Sequence, residues 1–211
     1  MCSGVSEIAL LRSTSEPSVF AYDWKTVVLY ALGVGAKRAE LDYLFEGKGP
    51  KVYPTFAVAP AMPVVMACLA STGGNLAMVV HGGQSVRIAR PIPPEGKLVT
   101  TGTISGIYDM KKMAQVVVET KSVTEGGDVV FETVWSIIFR GAGGFGGAPP
   151  PKGEDASVPS DRAPDFRVEE ATTPEQALLY RLSGDYNPLH ADPEFAAMVG
   201  FPQGPILHGL C

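Results

Sequence analysis

An α+β fold, with an antiparallel sheet curled around one buried helix, is what this sequence of 211 residues predicts. Three observations carry that prediction. The stretch from Pro60 to Ser71 is apolar on nearly every face (Met62, Val64, Val65, Met66, Cys68, Leu69), and a helix without a polar face is one buried on all sides. Directly after its Gly73-Gly74 stop the hydrophobic period changes, and segments rich in Val, Ile and Thr follow one another. A Gly- and Pro-rich tract then separates this block from a second, shorter one.

In chain order, residues 1–18 are polar and Ser-containing and read as a mobile extension. They lack the charged start of a secretory signal. Asp23 to Leu32 predicts a helix: Trp24, Val27, Val28, Tyr30 and Ala31 recur at helical spacing, with Asp23 at the start and Gly33 and Gly35 at the end. Glu40 to Glu46 predicts a second, short helix, and Pro60 to Ser71 the central one. Asn75–His81, Gln84–Ala89, Lys97–Tyr108, Met113–Thr124 and Val129–Phe139 read as strands. Glu125-Gly126-Gly127-Asp128 supplies a hairpin between the last two. The first folded unit is therefore expected over 19–140 and a linker over 141–165. The second block begins at 166 with a short strand, Phe166–Ala171. A helix from Thr173 to Leu182 follows, with Pro174 at its first position. Asp192-Pro193 starts a last helix that runs to Met198 and stops at Gly200.

Composition narrows the function classes. The formal net charge is −5 and no Lys/Arg cluster forms an electrostatic footprint, so nucleic-acid partners are not expected. Cys2, Cys68 and Cys211 are odd in number and far apart, which argues against a disulfide framework and for a reducing compartment. No apolar run is read as approaching the roughly 18 residues of a membrane helix, so no membrane partner is expected. Gly141-Ala142-Gly143-Gly144-Phe145-Gly146 satisfies G-x-G-x-x-G after a strand, but the dinucleotide reading requires a helix next, and Pro149-Pro150-Pro151 follows instead.

The informative segment is Leu182-Ser183-Gly184-Asp185-Tyr186-Asn187-Pro188-Leu189-His190-Ala191-Asp192. Pro188 pushes Asn187 out of the helical region, so the preceding helix cannot continue, and the loop presents Asp185 and His190 toward a common point. A carboxylate and an imidazole sharing one water can divide the two proton transfers of an addition across a double bond. The bland alternative is a helix-to-helix connection with capping residues. A metal site from Asp185, His190 and Asp192 offers too few clustered ligands to look built for zinc or iron, and no metal is expected. Downstream, Gly209 in Pro205-Ile206-Leu207-His208-Gly209-Leu210 offers an unhindered backbone N–H for an oxygen gaining negative charge; a plain helix start is the other reading. His208 reads as structural or functional alike. His81 and Gly82, between two predicted strands, read as a hairpin turn or as part of a site.

With these residues in place, the chain resembles the MaoC-like (R)-specific 2-enoyl-CoA hydratases, the hydratase part of peroxisomal multifunctional β-oxidation enzymes. The resemblance spans about residues 19–211. Its marks are Tyr30-Ala31-Leu32-Gly33-Val34-Gly35, Pro54-Thr55-Phe56, His81-Gly82, residues 143–147, Tyr180 to His190 and Pro205 to Cys211. It implies a hot-dog fold for 19–140, an antiparallel sheet wrapped around a long helix, and the start of a second hot-dog over 166–211. It also implies hydration of a trans-2-enoyl-CoA to a (3R)-3-hydroxyacyl-CoA, with no cofactor. Asp185 and His190 would be the catalytic pair, Asn187 would orient them, and Gly209 would be the oxyanion donor. His81, Gly82, Tyr186, Pro188 and Leu189 would contact substrate. A basic residue after the third strand is expected at the CoA, and Lys111 is nearest. The implied partner is acyl-CoA, the implied assembly a homodimer and the implied location the peroxisome, although the chain ends Gly-Leu-Cys without the targeting tripeptide; otherwise a cytoplasmic location is expected. Because Gly209-Leu210-Cys211 opens the second long helix in the family, a truncated second half is expected. An acyl-CoA-binding module without turnover, or an inactive fragment, is the corresponding alternative.

Overall fold

The computed structural model of the protein describes residues 14–152 and 162–211; the remainder of the expected extension and of the expected linker lies outside them. Five strands form one antiparallel sheet: β1 (Ser18–Tyr22), β2 (Val79–Ile88), β3 (Gly96–Asp109), β4 (Met113–Thr124) and β5 (Val129–Arg140), in the order β1-β3-β4-β5-β2. α1 (Trp24–Gly33) and α2 (Leu41–Leu44) precede the central helix α3 (Val58–Ser71), and a 3-10 turn over Pro54–Ala57 leads into it. This is the expected α+β hot-dog arrangement. α4 (Gln176–Tyr180) and α5 (Pro193–Met198) belong to the second block.

Alternation builds the sheet. On β4, Ala114, Val116, Val118, Thr120 and Ser122 are buried while their neighbours are not, the period-2 pattern of a strand with one covered face. The buried hydroxyls satisfy one another across strands: Thr100 with Ser122 (2.7 Å) and Thr120 with Thr133 (2.6 Å). The Trp135 indole N–H donates to Thr133 Oγ1 at 2.7 Å. An unpaired buried hydroxyl typically costs about 1–3 kcal/mol, so the ladder makes polar core positions tolerable.

The central helix corrects one expectation. Ala61, Val64, Val65, Cys68 and Leu69 are buried against the sheet, while Pro63, Met66, Ala67 and Ala70 are exposed. Burial follows the i, i+3, i+4, i+7 stripe of a one-sided helix although composition is apolar all round. Together with its 3-10 lead-in, the run Pro54–Ser71 reaches 18 residues at a mean hydropathy of 1.6, long and apolar enough to cross a membrane by those measures. The reading that no apolar run approaches that length is therefore corrected; the sheet packed on this helix accounts for its composition.

Other expectations shift for local reasons. Asp23 caps α1 rather than belonging to it, its carboxylate accepting from the Thr26 N–H at 3.0 Å. β1 was not expected. Its five residues pair Ser18 with Thr100 through Tyr22 with Gly96, and Ser15 already bonds to Gly102, so the edge of β3 is occupied before residue 19. Asn75 starts no strand; its side chain caps a 3-10 turn over Leu76–Met78. The two strands expected on either side of His81-Gly82-Gly83 are one strand, β2, with a bulge between His81 and Gly83. A bulge breaks alternation as a turn does, and a Gly-Gly pair signals both. Phe166–Ala171 is not a strand: Phe166 is 81% and Val168 71% exposed.

The Gly-rich tract after β5 is packed, not free, over its first residues. The Asp109 carboxylate accepts from the N–H groups of Gly144 (2.9 Å), Gly146 (2.8 Å) and Lys111 (2.7 Å). A Cβ on Gly143 would lie 2.5 Å from the Met113 backbone, so only glycine passes there. The loop thus does cradle an anion, but that anion is the chain's own side chain. These bonds, led by that from Gly144, hold the Asp109 carboxyl below its ordinary range.

Candidate active site

α4 forms over Gln176–Tyr180, later than the expected Thr173, with Glu175 and not Thr173 in the N-cap position; a 3-10 turn over Arg181–Ser183 continues it to Gly184, whose φ of +122° ends it. Asp185 then accepts the Asn187 N–H at 3.2 Å. The Asn187 side-chain oxygen accepts the Leu189 N–H at 3.0 Å and caps a 3-10 turn over Pro188–His190. Asn187 therefore shapes the backbone that carries His190. Asp192 caps α5 through the N–H groups of Glu194 and Phe195, which commits its carboxylate away from Asp185 and His190.

His190 is 9% exposed, and its Nδ1 lies 2.8 Å from the Ile206 carbonyl. A carbonyl only accepts, so Nδ1 carries the proton, and in the neutral ring Nε2 keeps its lone pair. The His208 ring stacks on His190 with centroids 3.6 Å apart and planes 24° apart. His208 Nε2–H donates to the Asp185 backbone carbonyl at 3.2 Å, and the Asp185 carboxylate lies 3.9 Å from the same nitrogen. One ligand atom from each of Asp185, His190 and His208 falls within 4.8 Å of the others. Each ring already spends one nitrogen on a carbonyl, His190 Nδ1 on Ile206 and His208 Nε2 on Asp185.

These residues form one wall of a cavity of about 670 Å³. Its opposite wall comes from the first block: Met62, Val65, Met66 and Leu69 of α3, Val79 to His81 of β2, and Trp135 and Ile137 of β5. His81 lines it, with Nε2–H donating to the Gly83 carbonyl at 3.0 Å and its ring 5.2 Å from Trp135; burial pushes its imidazole down. Tyr186, Asn187, Pro188, Leu189 and Gly209 also line the cavity, Tyr186 largely exposed with the Arg181 guanidinium 5.4 Å over its ring. Gly209 lies in a turn, and among the described residues its N–H donates no hydrogen bond. Two expected substrate residues are placed elsewhere. Gly82 sits at the bulge against Ile138, and Lys111 sits in the β3–β4 turn at a φ of +68°; neither lines this cavity. Trp135 and the α3 residues Met62, Val65, Met66 and Leu69 were missed, because their part in the cavity depends on what packs opposite.

The wall is fastened at two points. Tyr180 packs on Gly33, where a Cβ would come 3.1 Å from Tyr180 Cα. There the Gly33 carbonyl, an end group of α1, accepts from the Cys211 thiol (2.9 Å) and more weakly from the Gln176 amide (3.4 Å). At the other point Arg140 donates to the Val199 carbonyl at 2.8 Å beyond α5 and lies over Phe201. Gly33→Val is expected to separate α1 from α4. It should cost about 1–3 kcal/mol and raise hydrogen exchange over 176–183 while leaving the β3–β4 amides protected. Unchanged exchange over 176–183 would show that the crossing tolerates bulk.

Burial, reinforced by the adjacent His190 and opposed by Asp185, pushes the His208 imidazole down to about 4. The unfolded chain binds that proton near the ordinary histidine value of about 6.5. Stability should therefore fall as pH drops below about 6.5, by at most roughly 1.4 kcal/mol per unit, and this contribution should level off near 4. Urea midpoints measured across this range should fall less steeply for His208→Gln than for the parent chain. An identical slope would remove His208 as the source.

Comparisons with known proteins place the chain among its relatives. The profile described as MFE-2 hydratase 2 N-terminal domain matches residues 20–141, and that described as MaoC like domain matches 155–211. The chain is 41% identical over 210 residues to 3-hydroxyacyl-thioester dehydratase Y of Mycobacterium tuberculosis, covering 95% of this chain and 71% of that protein. It is 38% identical over 213 residues to the peroxisomal enoyl-CoA hydratase 2 of Arabidopsis thaliana, covering 91% and 68%. The crystal structure of a MaoC-like dehydratase from Phytophthora capsici superposes with a TM-score of 0.81 at 32% identity, covering 99% of this chain and 73% of that one. A first hot-dog matched over residues 20–141, followed by the Asp185–His190 loop inside a matched second unit, means that the chain belongs to the MaoC-like hydratase 2 family.

Proposed function

We propose that the protein hydrates trans-2-enoyl-CoA thioesters to (3R)-3-hydroxyacyl-CoA, a step of fatty-acid β-oxidation, with Asp185, His190 and Gly209 as the reacting groups. The observation that carries this reading is the His190 tautomer: with Nδ1–H spent on Ile206, the Nε2 lone pair is free to take a proton beside a carboxylate on the wall of a largely apolar cavity. Water held between Asp185 and His190 gives its proton to Nε2 as its oxygen attacks the β-carbon. Electrons move onto the thioester oxygen, which the Gly209 N–H receives. The imidazolium then returns the proton to the α-carbon, so both additions come from one face. Atoms and electrons balance with water alone, and no redox or metal cofactor enters. His81, Tyr186, Pro188 and Leu189 line the acyl-CoA path, and the wall from α3 and β5 takes the acyl chain. A peroxisomal setting is proposed from relatives such as the peroxisomal enoyl-CoA hydratase 2 of Arabidopsis thaliana, and a homodimer from the family resemblance alone.

The test is loss of enoyl-thioester absorbance with crotonyl-CoA and with a longer enoyl-CoA. Turnover of both is expected. Saturable acyl-CoA binding without turnover by the unmodified chain would replace this reading with that of a binding module.

A further inference from the structure

We infer that His208 is a positioning residue: stacked on His190 and bonded to Asp185, it holds the imidazole and the carboxylate at one separation. This rests on the hydration reading. Three contacts carry it, each in a different direction. The ring face lies 3.6 Å from His190, closer than any other aromatic pair among the described residues. The ring edge donates from Nε2 to the Asp185 carbonyl. Behind it stands Tyr180, 4.8 Å away, itself packed on Gly33 and Tyr30.

His190 and Asp185 need such a device. Among the described residues the His190 ring has one hydrogen bond, to Ile206, and a single bond leaves the ring free to rock about it. A flat neighbour on the ring face blocks that motion. No hydrogen bond joins the Asp185 and His190 side chains directly, so their relative placement comes through what both touch, and His208 touches both. The remaining His208 nitrogen, Nδ1, is buried without a partner among the described residues. An apolar ring of the same shape would avoid that penalty but could not bond to Asp185. The chain therefore accepts an unsatisfied nitrogen in exchange for a rigid link between the two reacting groups. A misplacement of about 1 Å at reacting groups can lower a rate on the order of 100-fold, which sets the size of effect available to a residue that never touches substrate.

The experiment compares His208→Ala, His208→Phe and His208→Gln in the full chain. With crotonyl-CoA, His208→Ala should lower kcat by roughly 10- to 100-fold while KM stays within about twofold. His208→Phe, which restores the stacked face, and His208→Gln, which restores the donor, should each recover part of the loss. In parallel, 15N imidazole spectra should show His190 as a single Nδ1–H tautomer in the parent chain and as a mixture in His208→Ala. Unchanged kcat together with an unchanged His190 tautomer overturns the proposal. So does a fall in thermal stability that accounts for all of the lost activity. If the parent chain binds acyl-CoA without turning it over, the hydration reading fails, and the tautomer spectra alone decide whether His208 positions His190. If His208→Ala does not fold, the Phe and Gln variants give the same decision.

Discussion

Asp185→Asn and His190→Gln are each expected to lower kcat for enoyl-CoA hydration roughly 100- to 10,000-fold, with little change in the folded structure. The direction follows from the geometry. Asn at 185 retains an oxygen that can accept the Asn187 N–H, so the turn survives, but its neutral amide can no longer balance an imidazolium. Gln at 190 can still reach the Ile206 carbonyl but has no nitrogen able to take a proton. The two groups share one water, so their losses should not add. The double variant should fall little below the worse single variant, because groups acting as a unit are non-additive. The measurement is kcat and KM with a long-chain enoyl-CoA, alongside circular dichroism. Either single variant working at the parent rate would end the assignment.

Gly209→Pro is the second large effect. Gly209 lines the cavity, and its N–H donates to no described partner, so it is free for a developing enolate oxygen. Proline removes that N–H, and the loss of one oxyanion donor typically costs roughly 100- to 1,000-fold in kcat. Gly209→Ala is the control. A Cβ there meets nothing within 4 Å, and the residue is not in the left-handed region, so alanine should keep both fold and rate within about threefold. A Gly209→Pro chain at parent kcat, or an alanine variant equally slow, would show that the N–H is not the donor.

How much of this was legible in the residues divides along a physical line. β4 appeared with both ends right, because twelve residues of strict alternation under one covered face leave no other reading. α1 and α5 were legible from their capping aspartates, Asp23 and Asp192, whose carboxylates bind the first free N–H groups in any context. β1 was not legible, since five residues behind a proline carry too little pattern and are held by pairing with β3. The break at Gly82-Gly83 was read as a turn because a bulge and a hairpin use the same residues; only the continuous partner strand β5 distinguishes them.

The site divides in the same way. Asp185, Asn187 and His190 lie within six residues, and Pro188 with the Asn187 cap dictates their loop locally, so chain order was enough to find them. His208 lies 18 residues beyond His190, and nothing local says that its ring will stack there. Trp135 and α3 face the cavity only because Tyr180 sits on Gly33 and Arg140 holds Val199. Short-range sterics and capping wrote the helices, the strands and the reacting loop into the order of residues. The cavity, the stacked histidines and the enclosure of the polar groups by an apolar wall arise from long-range packing, which depends on shapes that meet only after the chain has folded.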